Sequence, residues 1–143
     1  MARIIVYGAG AIGGVTGAAL ANAGHDVLLV DQVVDHVAAM NAKGLTVRTK
    51  DGAWNARVRA VTPDALPDTL DLVLVAVKAH STDAALDRLA PLLGADGAIV
   101  SLQNDDLAGW RRLLQEISQG QARDAAADNH DCWHERLKVN ESD

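Results

Sequence analysis

A glycine-rich heptad near the amino terminus, Gly8-Ala9-Gly10-Ala11-Ile12-Gly13-Gly14, constrains this chain more than any other feature. By itself a G-x-G-x-x-G match arises by chance in many loops. Here it directly follows an Ile/Val-rich run at residues 3–7 that reads as a buried strand. It opens a Pro-free stretch of small and aliphatic residues at 11–23 that reads as a helix, closed by Gly24. A second apolar strand at 26–30 then ends on Asp31. Strand, glycine turn, helix, strand and acid, in that order, make up a dinucleotide-binding unit. Gly8 permits the tight turn out of the strand, Gly10 removes the Cβ that would block a pyrophosphate, and Gly13 lets the helix lie close on the sheet. Ala9, Ala11 and Ile12 complete the turn, whose helix start offers unpaired backbone N–H groups and the positive end of the helix dipole to the phosphates. Gly17, one turn further on, extends the close contact. The competing reading is a purely structural glycine turn.

Asp31 stands 18 residues beyond Gly13, where a carboxylate accepts hydrogen bonds from the adenosine ribose hydroxyls and repels a 2′-phosphate. No Lys or Arg occurs in the following Gln32-Val33-Val34-Asp35 to receive such a phosphate. The expected cofactor is therefore NAD(H) in preference to NADP(H). The same Asp could instead cap the next helix or stand solvated in the turn before it.

Apolar runs and helical patterns continue to alternate. Residues 34–42 read as a helix closed by Gly44, and 45–61 as a hairpin turning at Lys50-Asp51-Gly52, with 56–61 as its second arm. The unbroken apolar run at 70–77 reads as a central parallel strand. Residues 82–93 form an amphipathic helical pattern with Ala85, Leu86, Leu89, Leu92 and Leu93 inward; 98–102 read as a strand and 106–117 as a last helix. The fold class is α/β, a Rossmann-type doubly wound and mostly parallel sheet. Beyond residue 117 branched aliphatics reduce to Leu137 and Val139, so 118–143 is expected to be a poorly ordered polar tail after a dinucleotide-binding domain at 1–117.

Charge and cysteine content narrow the function classes. With 13 Lys plus Arg against 19 Asp plus Glu, the formal net charge is −6, which offers no basic face for nucleic acid. Residues 1–104 carry 8 basic and 10 acidic side chains; the remaining 39 carry 5 and 9. A lone Cys132 makes no intramolecular disulfide, and no apolar run approaches the length of a membrane span. The expectation is a cytoplasmic protein without nucleic-acid or membrane partners. His130, Cys132 and His134 lack a paired-ligand spacing, so no metal site is expected.

Four segments resemble the ketopantoate reductase (2-dehydropantoate 2-reductase) family: IIVYGAGAIGG at 4–14, AGHDVLLVD at 23–31, DLVLVAVKA at 71–79 and SLQN at 101–104. The last two are the more specific. The resemblance covers about residues 1–104 and implies a cofactor domain in which Lys78 and Asn104 lie near the nicotinamide and substrate. Both also fall just past the carboxyl ends of predicted parallel strands, where open α/β sheets bind ligands. His80, close by, reads as a surface residue. The family's pattern places Gly after Q-N, where this chain has Asp105, a second carboxylate unfavourable to an anionic 2-oxo acid. Members of the family run to about twice this length. Their C-terminal helical domain supplies the general-acid lysine and a substrate-binding carboxylate, and nothing after Asn104 resembles it.

Three functional readings follow. The first is an NAD(P)-dependent reductase of a 2-oxo acid reduced to its cofactor domain, with little or no turnover and unidentified catalytic residues. The second is a stand-alone regulatory module, or one completed by a separate helical subunit; a homo-oligomer stays open as a partner. The third, an S-adenosylmethionine-dependent methyltransferase, is disfavoured by the tight glycine spacing and by the Val77-Lys78 and Gln103-Asn104 segments.

Overall fold

The computed structural model describes residues 2–102. Five strands form one parallel sheet in the order β5-β2-β1-β6-β7, with β1 at Ile4–Tyr7, β2 at Val27–Val30, β5 at Arg59–Val61, β6 at Leu70–Val75 and β7 at Leu93–Ser101. Helices α1 (Ala11–Asn22) and α2 (Val34–Lys43) cover one face, and α3 (Thr82–Leu89) the other. Successive side chains of a strand point to opposite faces. Ile5, Leu28, Val30, Val73 and Val75 accordingly pack under α3 with Ala85, Leu86 and Leu89. Val6, Val27, Leu29 and Ala60 pack with Val37 and Met40 of α2. Both faces of the central strands are covered, which is why their sequences read as continuous apolar runs. This is the doubly wound Rossmann-like arrangement expected.

The hairpin is real but shorter than expected. Strands β3 (Leu45–Thr49) and β4 (Gly52–Ala56) pair antiparallel and lean on α1 through Ala18, Val47 and Ala56. Residues 56–61 are not its second arm: the chain leaves the hairpin after Ala56, and β5 joins the main sheet parallel to β2. The alternation of Ala56, Val58 and Ala60 runs unbroken through this change of partner, so periodicity alone does not mark it. The edge strand β5 is closed from outside by Asn41 of α2. Its Nδ2 donates to the Ala60 carbonyl at 2.8 Å, and its Oδ1 accepts from the Ala60 N–H at 2.9 Å. Asn41→Ala leaves both backbone groups without these partners and is expected to lower stability by about 1–2 kcal/mol. The urea unfolding midpoint measures the loss.

Two further boundaries differ from expectation. The helix predicted over 82–93 stops at Leu89, continues as a 3₁₀ turn at Ala90–Leu92, and gives way to β7 at Leu93. Pro91 lacks an N–H and cannot sit in a continuing helix. The strand predicted at 98–102 begins five residues earlier. A register shift lies between Leu70↔Leu93 and Leu72↔Ala98, and the intervening Gly94 and Gly97 erase the apolar pattern there. The strand predicted at 70–77 ends at Val75. The predicted helix at 106–117 and the tail at 118–143 lie outside the described residues. Among the described residues no helix is long and apolar enough to cross a membrane.

Candidate functional site

The sheet's winding reverses between β1 and β6, since the connection after β1 crosses on one face and that after β6 on the other. Open α/β sheets bind ligands in the crevice outside the carboxyl ends at such a point. Gly8 leaves β1 at φ +105°, a conformation side chains disfavour, and its N–H donates to the Val30 carbonyl at 2.8 Å. A Cβ there would stand 3.0 Å from the Ala76 backbone and Val77 Cγ1, so the turn is wedged against the exit of β6. At Gly13 a Cβ would collide with the Gly8 carbonyl oxygen and sit 2.9 Å from Ala76 Cβ. At Gly17 it would strike Leu29 Cδ2. At Gly8 and Gly13 the close atoms are backbone, so these two glycines are required by the protein's own packing, whereas at Gly17 the opposing atom is the end of a side chain.

Gly10 is different. It caps α1 at φ −73° and ψ −158°, which any residue adopts, and a Cβ there would meet nothing within 4 Å. The space above it is open, and the fold gives no reason for a missing side chain. Around this opening the N–H groups of Ala11, Ile12 and Gly13 precede the first helical bond, from the Gly14 N–H to the Gly10 carbonyl at 2.7 Å. Among the described residues no side chain caps them, and no acid occupies the first turn. Ala9 is buried beneath the turn, while Ile12 stands 60% exposed at the mouth of the helix. The donor set, the dipole and the vacant Cβ position fit a pyrophosphate.

Asp31 ends β2 one strand away, its N–H donating to the Val61 carbonyl at 3.1 Å. Its Oδ1 accepts from the Val33 N–H at 2.8 Å, at the start of α2, and its Oδ2 lies 3.4 Å from His36 Nδ1. The bond to Val33 closes an Asx turn ahead of α2 and is not a helix cap, since the N-cap is Val33 and no side-chain cap bond is made there. It does not exclude ribose binding, because a carboxylate has about four acceptor positions. His36 went unnoticed in the sequence; its signal is a position five residues past the strand-end acid, inside the first turn of the next helix.

Lys78 follows β6 and is exposed, with its carbonyl accepting from the Ser81 N–H at 2.8 Å to start a 3₁₀ turn at Ala79–Ser81. His80 is exposed on the same turn. Contact between Gly8 and Val77 brings the glycine turn and the Lys78 loop to the same crevice. Asn104 and Asp105 lie outside the described residues. Tyr7, half-buried on the α3 face just before the turn, has its hydroxyl pushed above the usual range by burial, against the opposing charge of Arg88. Arg88 Nη1 in turn donates to Asp64 Oδ1 at 2.8 Å, a surface link from α3 to the crossover before β6. A recess of about 290 Å³ lined by Arg3, Asp26, Thr69 and Asp71 opens at the amino ends of the strands, away from this crevice. Its charges are already engaged in part by an Arg3–Asp26 bridge of 2.9 Å.

The family model described as ketopantoate reductase PanE/ApbA matches residues 4–117. A 2-dehydropantoate 2-reductase of Mesorhizobium japonicum is 40% identical over 102 residues, covering 71% of this chain and 31% of that protein. One from Pyrococcus abyssi is 42% identical over 105 residues, covering 71% and 33%. The chain thus spans about a third of the length of these curated relatives. Among solved structures, a PanE/ApbA family ketopantoate reductase from Ralstonia eutropha JMP134 superposes with a TM-score of 0.64 at 37% identity, covering 71% of this chain and 34% of that one. D-mandelate dehydrogenase, solved with NADH and anilino(oxo)acetate, gives a TM-score of 0.70 at 26% identity, covering 80% and 36%. With the glycine turn, the sheet order and a family match over most of its length in agreement, the chain belongs to the ketopantoate reductase family of NAD(P)-dependent oxidoreductases.

Proposed function

We propose that this chain is the dinucleotide-binding unit of a reductase acting on a 2-oxo acid, and that it binds NAD(H) in preference to NADP(H). The observation that carries the reading is the open space over Gly10, beside uncapped N–H groups at the start of α1. Gly8, Ala9, Gly10, Ala11, Ile12 and Gly13 form the cradle for the pyrophosphate. Asp31 receives the adenosine ribose, and its charge works against a 2′-phosphate. Lys78, with Asn104 as the family resemblance implies, lies toward the nicotinamide and the acid's carboxylate. The bound nicotinamide would supply the hydride. The residues of this chain orient the dinucleotide and present a cation, Lys78, on the loop after β6. The family resemblance implies a general-acid lysine supplied by a C-terminal helical domain, and on that ground the domain at 1–117 is read as binding cofactor with little turnover.

Calorimetric titration of the full chain with NAD⁺ and NADP⁺ tests this. NAD⁺ is expected to bind about tenfold tighter or more, since like-charge juxtaposition is costly. Asp31→Asn is expected to narrow the ratio. Tighter binding of NADP⁺ overturns the role of Asp31, and binding of neither overturns the whole reading. Steady NADH oxidation with ketopantoate overturns the low-turnover part alone.

A further inference from the structure

Among the described residues, His36 is the titratable side chain held against Asp31 that the reading above leaves unused. Asp31 cannot swing away from it, because Oδ1 is tied to the Val33 N–H and the side chain is only 14% exposed. The other oxygen, Oδ2, therefore stands 3.4 Å from His36 Nδ1, on a side chain that is 38% exposed and open to exchange of protons with solvent. We propose that His36 is a specificity-determining residue for the cofactor: protonated, it offsets the Asp31 carboxylate and admits a 2′-phosphorylated dinucleotide, and neutral, it leaves that carboxylate's charge standing against one. The inference rests on the assignment of Asp31 to the ribose.

The surroundings leave this role to His36. On its own helix the neighbouring charge is Asp35. From β5, which packs against α2, Ala60 faces the helix, whereas Arg59 pairs in register with Leu28 and so lies toward the α3 face. Helix α1, on the same side of the sheet as α2, has no charged residue between Ala11 and Asn22. The stretch from Gln32 to Asp35 contributes no Lys or Arg. Histidine is the side chain whose charge changes most readily between about pH 5 and 8. A 2′-phosphate also takes up a proton near pH 6, as phosphate monoesters do. The protein's share must therefore be separated from the ligand's.

The full chain, His36→Gln, His36→Arg and Asp31→Asn are titrated with NAD⁺ and NADP⁺ at pH 8.5 and pH 5.5. In the wild type, the ratio of the NADP⁺ to the NAD⁺ dissociation constant is expected to fall on acidification by about threefold more than in His36→Gln, whose residual change reports the phosphate alone. His36→Arg is expected to hold the smaller ratio at pH 8.5 as well. Coincident profiles for the wild type and His36→Gln overturn the inference, even where Asp31→Asn shifts the ratio and so upholds the ribose assignment. An unchanged ratio at pH 8.5 in Asp31→Asn overturns both.

Discussion

Gly10→Val is expected to abolish dinucleotide binding, weakening it by about a hundredfold or more, while leaving the fold in place. The backbone at Gly10 already has a conformation open to any residue, and the new side chain meets no protein atom near its Cβ. The structural penalty is confined to a poorer helix cap, about 1 kcal/mol or less. Affinity suffers far more, because the methyl groups occupy the volume a pyrophosphate needs in order to reach the N–H groups of Ala11 to Gly13. A hundredfold loss corresponds to about 2.7 kcal/mol. Calorimetry with NAD⁺ alongside urea unfolding separates the two quantities. Unchanged affinity would reduce the glycine turn to a structural device.

Gly13→Ala is expected to do the opposite and strike the fold first, with a loss of about 3 kcal/mol. An added Cβ runs into the Gly8 carbonyl oxygen, and Ala76 Cβ closes the other side. The atom in the way is backbone, held by the Gly8 N–H bond to Val30, so no rotamer change relieves the clash. Replacing a helical Gly by Ala returns about 1 kcal/mol of helix propensity, which is too little to offset overpacking against a fixed turn. Against a total stability of about 5–15 kcal/mol, the loss is large enough to read directly as a lower unfolding midpoint. A midpoint at or above the wild-type value would show that the turn can move. At Gly17 the opposing atom is instead the flexible end of Leu29, a gentler neighbour for the same change.

The contrast between Gly10 and Gly13 shows what a sequence carries and what it does not. Spacing, and the strand and helix on either side, sufficed to identify the glycine turn, the acid ending β2 and the parallel run of β6, because each follows from local periodicity and backbone sterics. The motif's spacing already separates an open position at Gly10 from packed ones at Gly8 and Gly13. What it leaves out is the neighbours themselves, the Gly8 carbonyl and Ala76 against Gly13 and no described atom within 4 Å of a Cβ at Gly10, which packing between β1 and β6 decides. The same limit hid the switch of partner between Ala56 and Arg59, where one alternating pattern serves two sheets. Pro91 did carry a local signal: its missing N–H ends α3 early. His36 was invisible for another reason, since its meaning arises only when the turn after β2 folds it back onto Asp31.

The clasp of Asn41 on Ala60 also closes one edge of this sheet to growth. By presenting an acceptor and a donor where another strand's backbone would, the side chain makes the β5 edge behave as though it were already paired. A strand arriving on that side would have to displace a side chain already hydrogen-bonded there, so association through the β5 edge is disfavoured.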